Sequence, residues 1–140
     1  MNSHFDFHKG GAIMKKKIIL LCIVLVALIL ELLPYGAVCN FANPEGEPWR
    51  YAYSYFDLTP FGNANFAPFI VALLTCALLL LIVISMIVKK PMKITLLSVS
   101  AAAALISLCP LLLGIRFLSP VGVLISIVFT GTTVVAALMK

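Results

Sequence analysis

Four long runs of the 140-residue chain are apolar at nearly every position, with the polar residues gathered between them. The runs cover residues 18–38, 69–88, 94–115 and 121–139. A helix needs roughly 20 residues to cross a hydrocarbon core of about 30 Å, and each run is of that length. They are apolar on every helical face, which is the pattern of helices in lipid. Membrane-spanning strands would alternate in character over about ten residues, and these runs do not. The sequence therefore predicts an all-α membrane protein, a four-transmembrane-helix bundle with a partly extended, aromatic-rich outer loop. Between the spans lie a tail at 1–17, an extracytoplasmic loop at 39–68, a cytoplasmic turn at 89–93 and an outer turn at 116–120. Turns as short as the last two force the helices they join to pack antiparallel.

Composition agrees with the pattern. Hydrophobic residues make up 63% of the chain and charged ones 11%, against about 45–50% and about 25% in soluble domains. A small water-soluble fold cannot hide that much apolar surface. A soluble enzyme, a nucleic-acid reader, a disulfide scaffold and a disordered regulator are all excluded.

Charge predicts orientation. Of the ten basic residues, Lys9, Lys15, Lys16, Lys17, Lys89, Lys90, Lys93 and Lys140 fall on one side of the predicted bundle. Arg50 and Arg116 fall on the other. The positive-inside rule puts the lysines in the cytoplasm, so the expectation is a multi-pass protein of the cell membrane with both termini cytoplasmic. The net charge of +5 is then a topology signal and an attraction to anionic lipid. The expected partners are the lipid bilayer and another membrane protein or a second copy of the chain, with no nucleic acid and no cofactor. A cleaved signal peptide is the alternative for the first run, but Gly36-Ala37-Val38 puts Val at −1 before Cys39, so an uncleaved anchor is expected. Met14-Lys15-Lys16-Lys17 reads as a bacterial start, which makes residues 1–13 a flexible tail or an upstream start. His4 and His8, with Asp6 between them, have helical spacing for a metal, but a polar Gly-terminated tail reads as solvated.

The loop at 39–68 is longer than the 12–15 residues beyond which loops are usually functional or disordered. It carries Phe41, Trp49, Tyr51, Tyr53, Tyr55, Phe56, Phe61 and Phe66, which disfavours disorder. Trp49, Tyr51, Tyr53 and Tyr55 alternate, the signature of a strand, so residues 49–55 are expected to be extended with one aromatic face. Pro60 and Gly62 then turn the chain toward the second span. The aromatic face serves either as an interfacial belt at headgroup level or as a platform for a partner.

Glu31 is the one acid inside an apolar run, about 21 Å beyond Lys17 at 1.5 Å per residue. A carboxylate there is costly and calls for a role. The expected one is a pair with Arg116, or a cap at the interface beside Pro34 and Tyr35; the alternative is a proton carrier. In the third and fourth spans, Ser100, Ala104, Ser107, Leu111 and Gly114 form one mostly small stripe, and Gly122, Ser126, Thr130, Thr133 and Ala137 form another. These are expected to face each other in close packing. Cys22, Cys39, Cys76 and Cys109 include no CxxC pair. With no Ser/His/Asp grouping, HExxH, phosphate loop or carboxylate pair, the expectation is a non-catalytic accessory or interaction subunit.

Two resemblances follow from this outline. In size, four helices and a Glu in the first of them, the chain is similar to the small multidrug resistance transporters. That likeness implies a proton-coupled small-molecule transporter using Glu31, although Glu31 lies further outward and the first outer loop is longer than theirs. Cytoplasmic termini and a large first outer loop with Trp49 and Arg50 on an aromatic strand resemble the claudin-like tetraspan group. Paired loop cysteines and a Gly-Leu-Trp signature are absent here.

Overall fold

Pro34 decides where the first helix stops. Proline has no N–H and disfavours helical geometry in the residue before it, so α1 (Ser3–Leu32) ends two residues earlier. The chain then turns and enters strand β1 (Ala37–Phe41), which pairs antiparallel with β2 (Trp49–Tyr53). The expectation of one span over 18–38 is corrected here, because its last residues are strand. The apolar helical part, residues 18–32, is about 22 Å long. The computed structural model describes the backbone of residues 3–139 and the side chains of residues 10–139. The backbone of α1 is helical from Ser3, where a flexible tail was expected. The side chains of His4, Asp6 and His8 lie outside the described residues.

After β2 come the short helix α2 (Leu58–Gly62), α3 (Ala67–Ile87), α4 (Lys93–Ser107), α5 (Cys109–Leu113), a 3-10 turn (Ile115–Phe117) and α6 (Pro120–Ala137). Among the described residues, three helical segments are long and apolar enough to cross a membrane: Ala67–Ile87, Lys93–Leu113 and Pro120–Ala137. Their outward side chains include Leu80, Ile87, Ile94, Leu105 and Leu112, all well exposed. Apolar surface on that scale belongs against lipid, and the chain is a mostly helical, multi-pass membrane protein.

α1 packs against α3 and α6, and α4 packs against the same two. The inward face of α1 is Lys17, Leu20, Val24, Ala27 and Glu31. That three-and-four spacing keeps one seam turned toward neighbouring helices, and it has an ionisable residue at each end. α3 contributes Val71, Thr75, Leu78, Ile82 and Ser85, and α6 contributes Ile125, Phe129, Thr132 and Ala136.

Pro110 interrupts the third segment. With no proline N–H to continue the ladder, the Leu111 N–H turns to Leu108 O (3.0 Å). The Ser107 carbonyl is thereby released, and it accepts from Ser126 Oγ across the helix pair at 3.2 Å. The expected facing of small stripes is therefore only partly present. Ser100, Ser107, Gly122 and Ser126 are buried, but Leu111, Thr130 and Ala137 are exposed, because the break at Pro110 ends the register and α6 turns Phe129 and Thr132 inward instead.

One end of the assembly is closed by lysines. Lys17 Nζ donates to Ser85 O (2.7 Å) and Lys90 O (3.1 Å), and Lys16 Nζ donates to Leu138 O (2.7 Å). The last carbonyls of a helix have no partner within it, and they carry the negative end of its dipole. Lys17 thus closes the end of α3 and Lys16 that of α6.

Candidate functional site at the hairpin end

The other end is covered by the hairpin. One main-chain bond docks it on the end of α1, where the Tyr55 N–H donates to Glu31 O (2.9 Å), and a second, from the Gly36 N–H to Tyr53 O (3.1 Å), joins the chain entering β1 to the end of β2. The Tyr55 ring then lies directly on Gly36, where an added Cβ would come within 2.8 Å of its Cδ1. Glycine is required here by close approach. Ser119 ties the start of α6 to the same point: its Oγ accepts from the Gly122 N–H (2.8 Å) as an N-cap and donates to Gly36 O (2.6 Å). A Cβ on Gly122 would meet Ser119 Oγ at 3.0 Å and the Tyr55 hydroxyl at 3.3 Å. From α3's side, Asn65 Nδ2 donates to Val38 O (3.0 Å).

The 3-10 turn clamps the hairpin's remaining side. Arg50 donates to Leu118 O (2.5 Å), Asn40 Nδ2 to Arg116 O (3.4 Å), and the Arg116 guanidinium lies 3.7 Å from the Glu47 carboxylate. Both partners of that pair are exposed. Burial pushes the Tyr55 phenol above its usual range, with the Glu31 carboxyl adding to the shift. Burial also raises the Cys39 thiol, helped by Asp57. Asp57 itself is held below the usual carboxylate range by its hydrogen bonds to Thr59, whose N–H donates to Asp57 Oδ1 at 2.8 Å. That bond caps α2, so Pro60 and Gly62 sit within a helical turn.

Glu31 and Arg116 are not partners, which corrects the expected pair. Glu31 is fully buried at the α1–α3 contact, where Thr75 Oγ1 lies 2.6 Å from Glu31 Oε1 and 2.9 Å from Val71 O. Arg116 lies on the rim turn and faces Glu47. A hydroxyl has one proton, so Thr75 cannot donate to both oxygens together. Glu31 Oε2 is buried without a hydrogen-bond partner among the described residues, as is Asn65 Oδ1. The sequence flagged Glu31 but missed Thr75, although Thr75 is a hydroxyl set within an otherwise aliphatic stretch of its helix.

The four aromatics of residues 49–55 separate into two pairs. Trp49 and Tyr51 are 56% and 53% exposed, while Tyr53 is half-buried and Tyr55 only 1% exposed. The extended segment stops at Tyr53, so Tyr55 leaves the aromatic face to anchor it. Phe41 joins the exposed pair, with its ring edge-on to Tyr51 at 5.9 Å. Among the described residues, no three His, Cys, Asp or Glu side chains are placed to hold a metal.

No protein-family model, curated protein or solved structure matches the chain. The likenesses to small multidrug resistance transporters and to the claudin-like group rest on architecture alone.

Proposed function

We propose that this chain is a non-catalytic accessory subunit of the cell membrane. It crosses the membrane four times, with both termini cytoplasmic, and holds a partner through the aromatic strand β2 on the outer side. The observation that carries the reading is the contrast within the hairpin. β1 is buried from Ala37 to Cys39 and is bonded to Asn65, just before α3, and to the rim turn, whereas β2 keeps Trp49 and Tyr51 more than half exposed. Aromatic side chains held on a rigid base contribute strongly at interfaces, because little conformational freedom is lost on binding. For the fourth crossing, α1 lies along α3 from Ser85 to Thr75, with lysines at one end and the hairpin at the other.

A photo-crosslinking residue at Tyr51, with one at exposed Leu58 as control, tests this in native membranes. The expected result is a discrete protein adduct from position 51 and none from position 58. Lipid adducts alone from position 51 would make β2 an interfacial belt and overturn the reading. The second reading, a proton-coupled transporter, draws on Glu31 Oε2, which is buried and has no hydrogen-bond partner among the described residues. Glu31→Gln separates the two: a transporter loses proton-driven flux, while an accessory subunit keeps its adduct.

A further inference from the structure

Among the described residues the sheet has two strands, so one edge of β2 has no strand beside it. Within residues 49–53 the backbone makes no further main-chain bond to the described residues except at Tyr53 O, which accepts from the Gly36 N–H. Such an edge is a template for another strand, and proteins usually blunt it with proline, lysine or a bulge. β2 has none of these: its sequence is Trp49-Arg50-Tyr51-Ala52-Tyr53, and its register against β1 runs unbroken from Trp49 to Tyr53. Its one charge, Arg50, is already bonded to Leu118 O on the same chain.

We infer that β2 pairs with β2 of a second copy of this chain, antiparallel about Tyr51, to make a four-stranded sheet across a two-fold axis. The inference rests on the proposed role of the aromatic strand and names its partner. The strand's own pattern selects the occupant. Aromatics stand at its first, third and fifth positions, so antiparallel pairing sets Trp49 opposite Tyr53, Tyr51 opposite Tyr51 and Tyr53 opposite Trp49. Aromatic cross-strand pairs of this kind are favourable. On the other face Arg50 comes opposite Ala52, so the two guanidiniums are not set against each other. Within one chain the same face carries Phe41 opposite Trp49 and Cys39 opposite Tyr51, and the pairing extends that ladder across both copies. A two-fold interface must be self-complementary, and this five-residue pattern is.

The test is oxidative crosslinking of full-length chains in native membranes. Cys22, Cys39, Cys76 and Cys109 are first changed to Ala, because Cys39 lies opposite Tyr51 within the same hairpin. Tyr51→Cys places two thiols across the axis, with their Cα atoms at a separation that a disulfide spans. It is expected to convert most of the protein into covalent dimer. Trp49→Cys or Tyr53→Cys alone puts the like thiols about 14 Å apart at 3.4 Å per residue, so each gives little dimer. Mixed together, those two variants are expected to give a mixed dimer. Equal crosslinking of all three single variants, or none at position 51 and none in the mixture, overturns the inference. In the same mixture, Tyr51→Lys added to both variants sets two ammonium groups on the axis and is expected to abolish the mixed disulfide dimer, with unchanged thermal unfolding of the monomer. Dimer that persists in this variant also overturns it. If the self-pairing fails while position 51 still gives an adduct with a different protein, the accessory role stands and only the identity of its partner falls.

Discussion

The two ends of the helix assembly solve one problem with different chemistry. At the lysine end, α3 and α6 stop with open carbonyls, and two ammonium groups from the neighbouring α1 bond to them. At the hairpin end, neutral groups do most of the closing: Ser119 caps α6, Tyr55 packs on Gly36, and Asn65 holds the β1 backbone, with the Arg50 guanidinium adding one bond to Leu118 O. The charged ions on that side, Arg116 and Glu47, stay out on the rim. A flexible ammonium tolerates small shifts in its acceptors, whereas packing of a ring against a glycine does not. The lysine end is therefore the adaptable end, and the hairpin end is the one whose geometry is fixed by contact.

The largest way to break this contrast is Tyr55→Ala. Removing a fully buried aromatic side chain typically costs about 3–5 kcal/mol. The hairpin is expected to detach, with unfolding in detergent at markedly lower denaturant and proteolysis within 42–48. A change below about 1 kcal/mol would mean that the hairpin is held mainly by the 3-10 turn.

Lys17→Met comes next. Hydrogen bonds from a charged donor contribute about 1.5–3 kcal/mol, and Lys17 is buried, so a loss of about 2 kcal/mol is expected in the same assay. Lys16 is partly exposed, and Lys16→Met is expected to cost about 0.5 kcal/mol. Equal effects of the two would remove the distinction between the α3 and α6 closures.

Glu31 and Thr75 are in contact, so Glu31→Gln with Thr75→Val should show a coupling of about 0.5–3 kcal/mol. Glu31→Gln with Arg116→Ala should be additive, because Arg116 faces Glu47. Coupling in the second cycle and none in the first would restore the pair expected from the sequence.

The smallest effect concerns acid. The Asp57 carboxyl is held below its unfolded value of about 3.9, so its contribution is present above that pH and is lost as the pH falls through the lower folded value. The Thr59 amide is expected to lose protection from hydrogen exchange there, while the Tyr55 amide, bonded to a main-chain carbonyl, keeps its own. Loss of both together would show that α2 and the hairpin open as one unit.

The hydrophobic runs were legible because lipid imposes one requirement on every residue that meets it, and the three long apolar segments follow from that. Alternation at Trp49, Tyr51 and Tyr53 was legible for a similar reason, since a strand has period two. β1 was hidden, because Ala37-Val38-Cys39 reads as the end of an apolar span and its strand character comes only from pairing with β2. Lys16 and Lys17 were legible as a charge cluster but not as caps, since their acceptors lie 122 and 68 residues away. The Glu31–Thr75 contact was hard to read for the same reason: which face of α3 meets α1 is set by packing, and on an all-round apolar helix only the hydroxyls of Thr75 and Ser85 mark the inward side.

The paired lysines also put the assembly's closure in an order in time. Lys17 finds its acceptors once residues 85–90 have emerged and α3 has entered the membrane, but Lys16 must wait for residue 138. At a synthesis rate of about 5–20 residues per second, the 48 residues between positions 90 and 138 take about 2–10 s. Within that interval Lys16 has no Leu138 carbonyl to bond, so its closure of α6 can only follow the one Lys17 makes on α3.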